Sequence, residues 1–152
     1  MTFKKILVPI DFSAMSTEAL RLAVSLARGG GELVLLNVGV LPDPSIAESA
    51  PNTSLMLEFA GRMAASRGTA LDALRAREVP PDVPSSLQLR DGRPEAEIIA
   101  AAAELRCDLV VLGTHGRRGL EHFVLGSVAE RVARGSTVPV MVTRVGESRA
   151  PV

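Results

Sequence analysis

The 152-residue sequence predicts a doubly wound α/β domain, with a five-stranded parallel sheet and helices on both faces. Two patterns carry that expectation. Strand-like segments alternate with helix-like ones along the chain, and several of the strands read as unbroken aliphatic runs. Alternation places crossover helices between parallel strands, and unbroken apolar runs belong to strands covered on both faces.

The elements follow in order. Lys4 to Ile10 reads as a first strand ended by Asp11, with Pro9 near its carboxyl end, where a missing ladder donor matters least. From Ser16, the residues Leu20, Ala23, Val24 and Ala27 repeat at helical spacing; Ser13 or Ser16 can cap the start, and Gly29-Gly30-Gly31 supplies the stop. Glu32 to Val38 is a second, continuously apolar strand, followed by a proline-containing loop over 42–54. Leu55, Phe59, Met63, Ala70 and Leu74 mark one face of a long second helix, and the stripe of Leu55, Met56, Phe59 and Met63 is expected in the core. Ser86 to Arg90 is a third strand. Pro94 suits the first turn of a third helix carrying Ile98, Ile99, Ala102 and Leu105, which leads into a buried fourth strand, Asp108 to Leu112. Ser127 to Arg134 reads as a fourth helix and Pro139 to Thr143 as the last strand. Residues 1–145 form a single domain on this reading, and 146–152 a flexible tail.

Composition removes whole classes of function. Seventeen Lys and Arg balance seventeen Asp and Glu, so no long-range field gathers nucleic acid or an anionic membrane. Four Phe, with no Trp or Tyr, leave few stacking platforms for single strands. The longest apolar runs fall far below the roughly 20 residues that cross a bilayer. Met1 to Lys5 leads straight into an apolar strand without a secretory pattern, and the lone Cys107 has no intrachain partner, so the expected compartment is the cytoplasm. Cys107 itself reads as a small buried hydrophobe without chemistry.

In a doubly wound sheet, ligands bind outside the carboxyl ends of the strands, where the strand order reverses. Those ends carry Pro9-Ile10-Asp11, Asn37-Val38 and Gly113-Thr114. Between the fourth strand and fourth helix runs Gly113-Thr114-His115-Gly116-Arg117-Arg118-Gly119, continuing to Gly126-Ser127. Glycines at 113 and 116 open backbone angles closed to other residues and let main-chain N–H groups approach a phosphate. Gly126-Ser127 then opens a helix whose first N–H groups, positive dipole end and Ser127 hydroxyl converge on one spot. Hydrogen bonds to a charged group contribute about 1.5–3 kcal/mol each, so three or four of them support micromolar binding without a basic patch.

The spacing Gly113-x2-Gly116-x9-Gly126-Ser resembles the ATP-binding signature of the universal stress protein family. The likeness extends over nearly the whole chain: Lys5-Ile-Leu-Val-Pro-Ile-Asp11, Asp108-Leu-Val-Val-Leu-Gly-Thr-His-Gly116, Leu125-Gly-Ser-Val-Ala-Glu-Arg-Val132 and Val138-Pro-Val-Met-Val142 occur in family order. It implies strand order 3-2-1-4-5, ATP over the carboxyl ends with Mg2+ arriving on its phosphates, and a homodimer through strand 138–143. It also implies a site of Pro9, Ile10, Asp11, Val38, Gly113, Thr114, His115, Gly116, Arg117, Gly126, Ser127 and Val128. Asp11 would meet ribose or adenine, Val38 would line the adenine pocket, and the glycines with Ser127 would hold ribose and phosphates. Asn37 departs from the family, whose members often carry His there.

Plainer readings stand beside these. Asp11 can cap the following turn, His115 can face phosphate or solvent, and Arg117 and Arg118 can screen a γ-phosphate or solvate a loop. His122 has no second ligand at metal spacing, and Glu130 is expected to pair with a neighbour. The implied function is a nucleotide-dependent stress-response regulator. One alternative is a slow ATPase or autophosphorylating enzyme, although no Walker-type glycine loop or obvious base is present. The other is a structural dimeric adaptor that keeps its glycines for folding.

Overall fold

The computed structural model describes residues 2–40, 53–114 and 125–144. Its elements run β1 (Lys5–Pro9), α1 (Ala14–Ala27), β2 (Glu32–Gly39), α2 (Thr53–Glu78), β3 (Ser85–Asp91), α3 (Pro94–Glu104), β4 (Leu109–Gly113), α4 (Ser127–Gly135) and β5 (Val140–Thr143). The five strands form one sheet in the order β3-β2-β1-β4-β5, and every pairing is parallel. The order therefore turns back between β1 and β4, which pair Ile6 with Leu109 and Leu7 with Val110.

The aliphatic strands feed two cores at once, because successive side chains leave opposite faces of a strand. Ile6, Val8, Leu33, Leu35, Leu109 and Val111 pack with Leu20 and Val24 of α1 and with Leu71 and Leu74 of α2. Leu7, Val34, Leu36, Val110 and Leu112 pack on the other face with Ile98 of α3 and with Ala129 and Val132 of α4. β3 has no buried residue, with Ser86, Leu89 and Asp91 exposed and the others half-buried, as suits a strand at the edge of the sheet.

Local signals behave as their chemistry dictates. Of the two serines able to cap α1, Ser13 does so, its Oγ accepting from the Ser16 N–H at 3.2 Å. The triple glycine ends the helix through Gly30, at φ +103°, a conformation a side chain resists. Pro94 occupies the first turn of α3, where its missing N–H leaves no bond unmade.

The second helix departs from expectation. The stripe of Leu55, Phe59 and Met63 is 63, 67 and 49% exposed, so it is not core; burial in α2 begins at Leu71 and Leu74. Length explains the difference. At about 1.5 Å per residue, 26 residues outrun a strand of eight, and Arg67 already stands level with Asn37, Arg90 and Asp91 at the carboxyl edge of the sheet. Residues 54–66 therefore overhang that edge, with no strand beneath them to bury a stripe. Of the predicted loop 42–54, the last two residues already belong to α2 and 42–52 lie outside the described residues, as does the tail 146–152.

Candidate functional site

At the carboxyl ends of β1 and β4, where the strand order turns back, lies a cavity of about 260 Å³. Pro9, Ile10, Asp11, Val38, Gly113, Gly126 and Val128, all named from sequence, line it together. Its apolar wall is completed by Leu36, Ile98 and Leu112, and Ser13, Ser16 and Pro94 stand around it. β1 supplies the floor, β2 and β4 the sides, and the start of α4 one end.

Each part has a local cause. Beyond Ile10 the chain turns through Asp11, whose Oδ1 accepts from the Ser13 N–H at 2.9 Å, and Phe12, held at φ +64°. A left-handed aromatic residue costs about 1–2 kcal/mol, and the turn it makes leaves the Asp11 carboxylate exposed at the rim. Asp11 thus both caps the turn and lines the cavity. α4 begins at Gly126, whose carbonyl accepts the first intrahelical bond, from Glu130 N at 2.9 Å. The N–H groups of Ser127, Val128 and Ala129 have no partner within the helix, and the positive end of its dipole faces the cavity mouth. α4 is moored by Arg131, which donates to Glu95 Oε1 at 3.1 Å. Glu95 is held below the usual carboxylate range, first by its own backbone N–H at the start of α3 and then by Arg93 and Arg131.

Three of the sequence-named residues need separate statements. Thr114 is buried, and both its N–H (3.0 Å) and its hydroxyl (3.3 Å) donate to the Thr143 carbonyl, which ties β4 to β5 away from the cavity. Ser127 is exposed at the first position of α4, beside the cavity. Gly113 lines the cavity, but its lack of a side chain has another cause: a Cβ there would lie 2.5 Å from the Met15 carbonyl oxygen. Its backbone is that of an ordinary strand, so the conformational freedom expected of it is not used. His115, Gly116 and Arg117, with Arg118 and His122, lie outside the described residues. Glu130 pairs with Arg134 at 2.7 Å, as its neighbour spacing suggested.

A larger hollow, about 840 Å³, lies under the overhang of α2 between Leu55, Phe59, Met63 and Val40. It is lined by the first turns of α2 and by Glu58, Arg62, Arg67 and Asp91 as well, but it lies away from the β1–β4 switch point that the smaller cavity occupies, so the smaller cavity is the better candidate site. Sequence reading missed the contribution of α3 to that cavity, although the helical spacing of Pro94 and Ile98 was its signal. No group of three metal-ligating side chains occurs among the described residues, and none of their helices is long and apolar enough to cross a membrane.

A doubly wound parallel sheet with a helix start and a cavity at its switch point defines the class: an α/β domain whose ligand position, by topology, is that switch point. The chain belongs to the universal stress protein family, whose model matches residues 2–144. It is 32% identical over 143 residues to a universal stress protein of Methanocaldococcus jannaschii, covering 93% of this chain and 82% of the relative. To one of Bacillus subtilis it is 32% identical over 161 residues, covering 93% of this chain and 99% of the relative. Among solved structures, that of the hypothetical protein MJ0577 superposes with a TM-score of 0.79 at 25% identity, over 97% of this chain and 100% of the other. Two more distant structures share the fold. A universal stress protein in complex with cAMP has a TM-score of 0.60 at 20% identity, over 96% of this chain and 100% of the other. One from Archaeoglobus fulgidus in complex with dAMP has a TM-score of 0.56 at 20% identity, over 93% and 98%.

Proposed function

We propose that this chain binds an adenine nucleotide, ATP in the first place, in the cavity between β1 and β4, and acts as a nucleotide-dependent stress-response regulator in the cytoplasm. One observation carries the reading: residues far apart in the sequence, Pro9, Ile10 and Asp11 with Gly113, Gly126 and Val128, meet around one hollow at the switch point of the sheet. A volume of about 260 Å³ is just below the roughly 300–1,000 Å³ of ordinary ligand pockets. It suits a base and sugar against Val38, Ile98 and Leu112, with the phosphates at the mouth, on the first N–H groups of α4. Asp11 at the rim suits a ribose hydroxyl. Mg2+ would enter on the phosphates and supply charge neutralisation there. Solved relatives carrying cAMP and dAMP support an adenine nucleotide as the ligand class.

Gly126 provides the test. Its φ is −54° and its ψ 147°, angles open to any residue, so glycine is not required there by the backbone. What a methyl group would obstruct is a ligand approaching the helix start. Calorimetric titration of ATP, ADP, AMP and cAMP, with magnesium, into the wild type and Gly126→Ala should show micromolar ATP binding that weakens at least tenfold in the variant. A folded wild type that binds none of the four would overturn the proposal. That outcome would favour the structural adaptor, a reading that the packing reason for Gly113 already supports in part. The same edge strand that ends the sheet, 138–143, is proposed as the homodimer contact, since an unpaired parallel edge invites a symmetry mate.

A further inference from the structure

We infer that Arg67 and Asn37 are positioning residues of the nucleotide pocket: Arg67, reaching from α2, orients the Asn37 amide, and that amide holds the main chain where β1 delivers Asp11 to the rim. The inference rests on the proposed nucleotide site.

The starting point is a buried amide. Asn37 is 4% exposed at the carboxyl end of β2, on the face shared by Leu33 and Leu35. Such a group must satisfy both its oxygen and its nitrogen. The Oδ1 accepts from the Arg67 guanidinium at 3.0 Å, and the Nδ2 donates to the Ile10 carbonyl at 2.8 Å. A guanidinium only donates and a carbonyl only accepts, so one amide orientation alone satisfies both neighbours. Arg67 therefore selects which way Asn37 points.

Arg67 is itself fixed at three points. Besides Asn37, it donates to the Asp91 carboxylate at 2.6 Å and to the Arg90 carbonyl at 3.3 Å. β2 is shaped to admit it: a Cβ on Gly39 would stand 2.5 Å from the Arg67 Cζ and closer still to Asp91 Oδ1. On the other side, Ile10 has both main-chain groups engaged, its N–H donating to the Leu36 carbonyl at 2.7 Å. The next residue is Asp11, whose carboxylate caps Ser13 and faces the cavity. Arg67 does not line that cavity; it acts on it through Asn37 and Ile10.

Because the relay ends on the β1 side, it governs the base and sugar and leaves the phosphates on α4 untouched. Arg67→Met keeps the stem and removes the donors. It should weaken ATP, ADP and AMP by the same factor, on the order of tenfold, and lower the melting temperature by a few degrees, because the Asn37 oxygen loses its donor. Asn37→Asp keeps the acceptor for Arg67 but sets an oxygen against the Ile10 carbonyl, and should act in the same direction. The double variant should be no weaker than the worse single one. Gly39→Ala, which displaces the guanidinium without removing it, should reproduce Arg67→Met. In the ligand-free protein, hydrogen exchange at the Ile10 and Ser13 amides should quicken in Arg67→Met while the Leu109 amide stays protected. Unchanged affinities in Arg67→Met, or a loss larger for ATP than for AMP, would overturn the inference. Should the wild type bind no adenine nucleotide, the proposed function fails first, and unchanged exchange at Ile10 and Ser13 would then sink the positioning role as well.

Discussion

Gly113→Ala separates the packing use of a glycine from its use by a ligand. The added Cβ would lie 2.5 Å from the Met15 carbonyl oxygen, 2.7 Å from its carbon and 2.9 Å from its Cβ. Two of those atoms are backbone of α1, so no side chain can swing aside, and the start of the helix must move off the sheet. Overpacking of this kind costs about 1–3 kcal/mol. For a chain of this length, each kcal/mol lowers the melting temperature by about 2–4 °C, so the variant should melt about 2–12 °C below the wild type. The assay is thermal unfolding followed by circular dichroism, with urea unfolding as a check that the transition keeps its slope. Gly126→Ala is the internal control: its angles accept a side chain, so it should stay within about 1 kcal/mol of wild type. A Gly113→Ala protein as stable as the wild type would refute the packing account and return Gly113 to the ligand.

Other consequences are equally direct. Glu78 is held at about 2, below its ordinary 4.5, first by the Arg21 guanidinium and then by Arg77. A carboxylate depressed in the folded state stabilises above pH 4.5 and loses that contribution as pH falls from 4.5 toward 2; Arg21→Met should therefore move acid unfolding to higher pH, and an unmoved midpoint would deny the α1–α2 ion pair its role. Burial pushes the Cys107 thiol up to about 11, so it should resist iodoacetamide at pH 8 in the folded protein and react on unfolding; rapid labelling of the native state would contradict its place in the core. Pro139 and Thr143 turn their carbonyls to β4, so residues 140 and 142 turn their polar groups to the open edge. Sedimentation should give twice 16.0 kDa for the wild type and a shift toward 16.0 kDa for Val142→Pro, whereas a dimer unaffected by the proline would place the contact elsewhere.

The sheet was legible because its inner strands are covered twice. Ile6 to Val8, Leu33 to Leu36 and Leu109 to Leu112 are apolar without interruption, and each run does feed two cores. β3 was the faintest strand for the complementary reason: it is an edge, and Ser86, Leu89 and Asp91 face water. Helical spacing correctly grouped Leu55, Phe59 and Met63 on one face of α2, but periodicity says only which residues travel together. Whether anything lies opposite depends on how far the helix runs past the sheet, a tertiary quantity that a 26-residue pattern does not contain.

The site divides along the same line. The glycines announced themselves, but their structural reasons differ: Gly30 takes a positive φ, Gly39 makes room for a guanidinium, Gly113 admits the backbone of α1, and Gly126 caps α4 at angles open to any residue. The link between Asn37 and Arg67 was illegible for a different cause. Thirty residues separate them, neither lies in a motif, and they meet only because α2 crosses back over the carboxyl ends of β2 and β3. Pro9 and Gly113 are brought to one cavity in the same way, by the pairing of β1 with β4. Topology thus makes the site, and local sequence only stocks it; substitutions that disturb the β1–β4 pairing should therefore reach nucleotide affinity even where they touch no lining residue.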